Sequence, residues 1–169
     1  MKSVMRLETP RLILRQLNEN DATFVNALYN TEGFLTFVGD KNIRSDIDAA
    51  VYLRSTLLPM YKQPYMGLLA VEEKVTGKPV GICGLIKRDT LDDIDLGYGF
   101  FPEYQGNGFG KEAAEAMLDI ARKTLAVSQV VAITHPTNSK SLKLLDNLGF
   151  QFQGQKADDP ELVLLQLTF

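Results

Sequence analysis

Glycines stand at positions 106, 108 and 110, in the stretch Phe100-Phe101-Pro102-Glu103-Tyr104-Gln105-Gly106-Asn107-Gly108-Phe109-Gly110, and a helix-spaced pattern begins at Lys111. A glycine carries no Cβ, so backbone N–H groups beside it can come close to a ligand. The first N–H groups of a helix lack intrahelical acceptors and sit at the positive end of its dipole. Together these features describe an anion site, most often one for phosphate. An apolar run ending in Pro102 precedes the glycines, so the expected order is strand, glycine loop, helix. Walker A chemistry is excluded because Lys111-Glu112, not Lys-Ser/Thr, follows the last glycine. The spacing G-x-G-x-G also departs from the dinucleotide fingerprint G-x-G-x-x-G.

Side chains that could move protons are few. Asp95 lies near Asp92 and Asp93 and reads, on its own, as a solvated strand end. Asn138 reads as a helix N-cap and Ser141 as a first-turn residue. His135, the sole histidine, precedes Pro136 and titrates in a useful range. Glu103 borders the glycine loop and reads as surface. Cys83, in Gly81-Ile82-Cys83-Gly84, fits core packing better than covalent chemistry. One cysteine excludes an internal disulfide framework and a cysteine-rich metal site.

The elements that must position these residues follow from periodicity. At 169 residues, one domain spanning 1–169 is expected. A first strand covers Leu12–Leu14, and a helix runs from Asn18 to Asn30. Gly33–Asn42 reads as an unusually apolar loop. Ser45 and Asp48 stand at capping-box spacing before a second helix reaching about Tyr61. Met66–Val71, Val80–Ile86 and Ile94–Phe101 read as an antiparallel meander. A third helix spans Lys111 to about Leu125, with Ala113, Ala114, Met117, Leu118 and Ala121 as its buried stripe. A strand at Gln129–Thr134 follows, then a helix at Ser139–Leu148 closed by Gly149. Strands near Phe150–Gly154 and Leu162–Phe169 end the chain, parted by an acidic turn, Asp158-Asp159-Pro160-Glu161. The fold class is α/β (mixed α+β): about seven strands, mostly antiparallel, in one mixed sheet with four helices.

Gln105, Gly108 and Gly110 fit in order the pattern Gln/Arg-x-x-Gly-x-Gly/Ala. In this the loop resembles the coenzyme A pyrophosphate loop of the GNAT acetyltransferase superfamily, and the element order resembles the whole of that fold. Leu7-Glu8-Thr9-Pro10-Arg11-Leu12-Ile13-Leu14-Arg15, Asp95-Leu96-Gly97-Tyr98, Asn138-x-x-Ser141 and Leu148-Gly149-Phe150 are similar to the RimJ/RimL-type branch. The resemblance implies acetyl-CoA as co-substrate and no metal. It implies that Phe100 and Phe101 pair with the pantetheine arm, and that Gln105, Gly106, Asn107, Gly108, Phe109, Gly110 and Lys111 hold the pyrophosphate. Asn138 would bond the pantetheine amide, Ser141 would face the sulfur as an acid, and Asp95 would be the base. Many relatives carry a tyrosine acid where this chain has Leu145.

The expected reaction is acetyl transfer from acetyl-CoA to a primary amine by direct attack on the thioester. The acceptor is a small molecule or a protein N-terminus, a ribosomal protein among the options. Phe34, Phe37, Tyr61 and Tyr65 could line its pocket or belong to the core. The alternative is a non-catalytic acyl-CoA sensor of the same fold; a nucleotide-binding module is a further rival. A net charge of −3 speaks against a protein that mainly grips nucleic acid. No apolar run reaches membrane-span length, and Met1–Arg6 lacks a signal-peptide core. A cytoplasmic monomer or homodimer is expected.

Overall fold

The structure, a computed structural model, describes residues 5–169; Met1 to Val4, part of the N-terminal stretch read above, lie outside the described residues. Eight strands form one sheet: β1 (Arg6–Glu8), β2 (Leu12–Gln16), β3 (Gly67–Glu73), β4 (Pro79–Ile86), β5 (Asp95–Phe100), β6 (Gln129–Thr134), β7 (Gln151–Lys156) and β8 (Asp159–Thr168). Their order is β1-β2-β3-β4-β5-β6-β8-β7. Every pairing is antiparallel except β5 with β6. The expected count of about seven is one short because Arg6–Glu8 is too brief to show alternation and forms by pairing with Ile13–Arg15.

Four α-helices flank the sheet: α1 (Ala22–Tyr29), α2 (Asp46–Tyr52), α3 (Phe109–Asp119) and α4 (Ser139–Leu148). Strand residues of alternating parity feed two cores. Leu12, Leu14, Leu69, Val71, Cys83, Leu85, Leu96 and Phe100 pack with α3 through Ala113, Ala114 and Met117. Leu68, Ala70, Ile82 and Ile86 pack on the other face with Val25, Leu28, Phe34, Leu53 and Leu57.

Several boundaries differ from expectation, each for a local reason. The second helix tightens and loosens after Tyr52, through a π turn at Leu53–Leu57 and a 3-10 turn at Leu58–Lys62 that accommodates Pro59. Ser45 Oγ accepts from Asp48 N–H at 3.1 Å, but Asp48 bonds the Arg44 amide, so the capping box closes one residue early. The apolar loop holds a π turn at Phe34–Val38. The closing hairpin turns at Ala157-Asp158, and Asp159-Pro160-Glu161 is already strand, where Lys156 pairs with Asp159. Pro160 is tolerated because it sits at the strand's start.

Candidate functional site

β5 registers with β4 along its whole length, from Ile86↔Asp95 to Gly81↔Phe100, but with β6 only at Asp95↔Val131. The two strands therefore part beyond Asp95. Along a strand, alternate residues point their backbone groups to opposite sides. Val131 N–H donates to Ile94 C=O at 3.0 Å, and Phe101 N–H donates to Val80 C=O at 3.0 Å. That parity turns the backbone of Tyr98 and Phe100 into the gap and Phe101 towards β4. Phe101 thus has no amide to offer a strand-like ligand, and its ring packs edge-on against Phe24. Gln105 Nε2 donates to Phe100 C=O at 3.1 Å. Beyond the Asp95↔Val131 bridge, the backbone groups turned into the gap are Leu96 C=O, Tyr98 N–H and C=O, and Phe100 N–H.

The glycine loop closes the wide end of that gap. The expected helix starts two residues early, at Phe109, because Gly108 is its N-cap with φ +81°. Gly106, at φ +83°, is the second left-handed residue, a region that sterics deny to most side chains. Glu112 N–H to Gly108 C=O is the first bond of the ladder. The amides of Phe109, Gly110 and Lys111 therefore precede it at the positive pole of an eleven-residue helix. Phe109 itself is buried, while Gln105, Gly106, Asn107, Gly108 and Lys111 are exposed. Lys111 reaches Glu115 at 3.9 Å and leaves most of its surface to solvent.

Arg11, on the turn before β2, organises this loop, and the sequence reading gave it no role there. Its Nη1 donates to Asn107 C=O at 2.9 Å and its Nε to Glu112 Oε1 at 2.7 Å. Its guanidinium lies 4.6 Å from the Phe109 ring centroid. Burial opposes ionisation of Glu112, but bonds from Thr9 and Arg11 outweigh it and hold the carboxyl below its usual range. A second cation, Lys140, reaches Gln105 Oε1 at 3.0 Å from the start of α4. The signals available in sequence were position alone: Arg11 in the N-terminal motif, Lys140 between Asn138 and Ser141.

Asn138 is the N-cap of α4, its Oδ1 accepting from Ser141 N–H at 3.3 Å. Ser141 Oγ lies 2.6 Å from the Tyr98 hydroxyl. Burial pushes that phenol up to about 12 against the opposing bond to Ser141. The tyrosine expected on α4 is replaced by Leu145, which is fully buried in the core, and the phenol beside Ser141 comes from β5 instead. Tyr98 could have been found from its parity with the buried Leu96 and Phe100.

Asp95 sits on the opposite face of β5 from Tyr98, as strand parity requires. It is not a solvated strand end: it is 2% exposed. Burial raises its carboxyl above the usual range, opposed by Arg88, whose Nε lies 2.6 Å from Oδ2. Asp95 Oδ1 is buried with no hydrogen-bond partner among the described residues. On that face Phe34 lies over Gly99, where a Cβ would collide with Phe34 Cζ. Phe37 meets His135 at 5.8 Å between ring centroids, and His135 Nδ1 is within 2.8 Å of Thr137 Oγ1. Of the other expected acceptor residues, Tyr61 donates to Leu68 C=O and accepts from the Leu17 amide, a core role, while Tyr65 is exposed. Cys83 is fully buried, and burial pushes its thiol up to about 12, which leaves no thiolate for chemistry. Glu103 lies exposed in the turn Pro102–Tyr104. Among the described residues no cluster of His, Cys, Asp and Glu could hold a metal, and no helix is long and apolar enough to cross a membrane.

Residues 11–151 match the acetyltransferase (GNAT) domain. The chain is 29% identical over 149 residues to the uncharacterized N-acetyltransferase YoaA of Bacillus subtilis, covering 88% of this chain and 84% of that one. It is 29% identical over 96 residues to the ribosomal protein uS5-alanine N-acetyltransferase of Escherichia coli, covering 56% and 48%. An acetyltransferase crystal structure from Agrobacterium tumefaciens superposes with a TM-score of 0.84 at 24% identity, over 100% of this chain and 97% of that one. Fold, strand split and domain match agree: the chain belongs to the GNAT acetyltransferase family and is an enzyme of the transferase class.

Proposed function

We propose that this protein is an acetyl-CoA-dependent N-acetyltransferase that acts on a primary amine, either a protein N-terminus or a small molecule. The observation that carries the reading is the parting of β5 from β6 beside a glycine-capped helix start. Backbone groups of Tyr98 and Phe100 face the gap, and the amides of Phe109, Gly110 and Lys111 stand at its mouth. That donor set fits an elongated ligand with amides at one end and a pyrophosphate at the other. Acetyl-CoA supplies an activated thioester when bound.

In this reading Gln105 to Lys111 take the pyrophosphate, with Arg11 and Lys140 adding positive field. Tyr98 N–H, deeper in the gap than Phe100, polarises the acyl carbonyl. Asp95, on the face lined by Phe34 and Phe37, takes the amine proton through water. Ser141, on the other face, hydrogen-bonds the departing thiolate at the positive end of α4. Acceptor and leaving group are thereby kept on opposite sides of one strand. The uS5-alanine relative suggests a ribosomal-protein N-terminus as one acceptor class. We place the chain in the cytoplasm as a single domain, monomeric or homodimeric.

The test is thiol release from acetyl-CoA with a panel of primary amines and N-terminal peptides. Release with at least one acceptor, above the rate without it, supports the reading. Leu145 in place of a tyrosine acid leaves one other use of the fold, an acyl-CoA sensor. A sensor binds CoA and releases no thiol with any acceptor, which would overturn the transferase reading.

A further inference from the structure

The Tyr98 hydroxyl lies 2.6 Å from Ser141 Oγ and 3.3 Å from Ser141 C=O. The shorter contact is the stronger bond, and either oxygen can donate in it. A serine hydroxyl has one proton and two acceptor sites. If Tyr98 spends its proton on Ser141 Oγ, the serine proton is free to turn elsewhere. If Ser141 donates to Tyr98, the serine has nothing left for a ligand. An anion in the gap selects the first arrangement, because a chain of donors ending on a charge strengthens each bond. Ser141 is also fixed from behind by Asn138, which holds its amide.

Resting on the transferase reading above, we propose that Tyr98 is a positioning residue that aims the Ser141 hydroxyl at the leaving sulfur. Tyr98 keeps its proton throughout, consistent with a phenol that burial has made a weaker acid. The step balances without proton loss from either hydroxyl. The amine nitrogen forms a bond to the acyl carbon, and the C–S pair goes to sulfur. The amine proton goes to Asp95 or solvent, and the thiolate stays hydrogen-bonded to Ser141. The same residue offers its backbone to the gap, so placing the pantetheine and orienting its leaving group depend on one position of β5. Leu145 needs no hydroxyl in this arrangement.

The test uses the full protein with free coenzyme A as probe and follows the thiolate absorbance of the bound thiol against pH, with affinity measured by calorimetry. In the wild type the bound thiol should titrate below the free thiol. Tyr98→Phe and Ser141→Ala should each raise it by about one pH unit, the worth of one charged hydrogen bond, and the double variant should shift no further than either. At a pH where the thiol is protonated, affinity for coenzyme A should stay within about threefold, since neither hydroxyl holds the pyrophosphate. If Tyr98→Phe does not fold, 3-fluorotyrosine at position 98 is a stronger donor of nearly the same shape and should lower the bound thiol's value. A Tyr98→Phe thiol that titrates like wild type, or additive shifts in the double variant, overturns the inference while leaving the transferase reading standing. Absence of any coenzyme A binding to wild type overturns both.

Discussion

Arg88 Nε approaches Asp95 Oδ2 to 2.6 Å and leaves Asp95 Oδ1 buried without a partner among the described residues. Burial is the largest influence, so folding raises the carboxyl above its usual range despite the arginine. A carboxyl raised on folding contributes stability below its unfolded value, and that contribution is lost as pH rises through its folded value. Asn mimics the neutral acid. Asp95→Asn should therefore come nearest to wild type at the acid end of the stable range and gain on wild type as pH rises through the carboxyl's raised titration. Thermal melts of both proteins across that range check it, and a melting difference that is flat or falls with pH contradicts the assigned burial cost.

Gly108 couples backbone geometry to binding. Its φ of +81° strains any residue with a Cβ, and that Cβ would lie 3.2 Å from Arg11 Nη2. Gly108→Val should cost about 1–3 kcal/mol of stability and remove measurable coenzyme A binding, with the protein still folded. Calorimetry on a variant verified by circular dichroism is the measurement; unchanged affinity would move the pyrophosphate away from this loop.

Arg11 makes a planar set of contacts that lysine cannot copy: the Asn107 carbonyl, the Glu112 carboxylate and the Phe109 face. Arg11→Lys should weaken coenzyme A binding by about tenfold, the worth of one lost charged bond. Rate at saturating acetyl-CoA should change little, because Arg11 is remote from the reacting atoms in the proposed arrangement. A fall in saturated rate with unchanged affinity would contradict a role confined to the loop.

The strand–loop–helix order was legible because it rests on short-range signals: the continuous apolar run Val80–Ile86 between polar turns, and glycines before a helical stripe. The parting of β5 from β6 was not legible, because it is a failure of pairing between strands separated by α3 and visible only in register. Asp95 read as solvated because acidic neighbours in sequence suggested a wet turn; strand parity and Arg88 bury it. Tyr98 and Ser141 lie 43 positions apart, and nothing local in either marks their bond. Phe101 read as a ligand-pairing residue because sequence shows no strand end; its amide is committed to Val80.

Leu145 tests whether the missing tyrosine matters. The side chain has no exposed surface and packs in the α3-face core. Leu145→Tyr should overpack that core and cost about 1–3 kcal/mol. It should not restore a Ser141→Ala variant, since a hydroxyl at 145 enters apolar packing rather than the gap. Melting temperature and thiol-release rate of the double variant decide it; recovery of wild-type rate would show that α4 can turn this position towards the sulfur.

The base and the sulfur-facing hydroxyl can be separated by acceptor chemistry. A high-pKa amine arrives protonated, so loss of a base penalises it more than a peptide N-terminus of lower pKa. Loss of a hydrogen bond to the thiolate acts after attack and penalises both acceptors alike. Ser141→Ala should therefore lower the saturated rate by about tenfold to a hundredfold, with acetyl-CoA affinity nearly intact and no acceptor bias. Asp95→Asn should flatten the acidic limb of the pH–rate curve. In wild type that limb should lie above the range of an ordinary aspartate, the direction in which burial moves this carboxyl. Any limb set by protonation of the acceptor itself should lie at lower pH for the weaker amine, because that amine is already deprotonated there. Rates for both variants against one high-pKa amine and one peptide N-terminus, over the accessible pH range, give the four curves needed. Wild-type-like curves for both variants would remove acid–base and hydrogen-bond catalysis from Asp95 and Ser141 and leave backbone polarisation and proximity to carry the reaction.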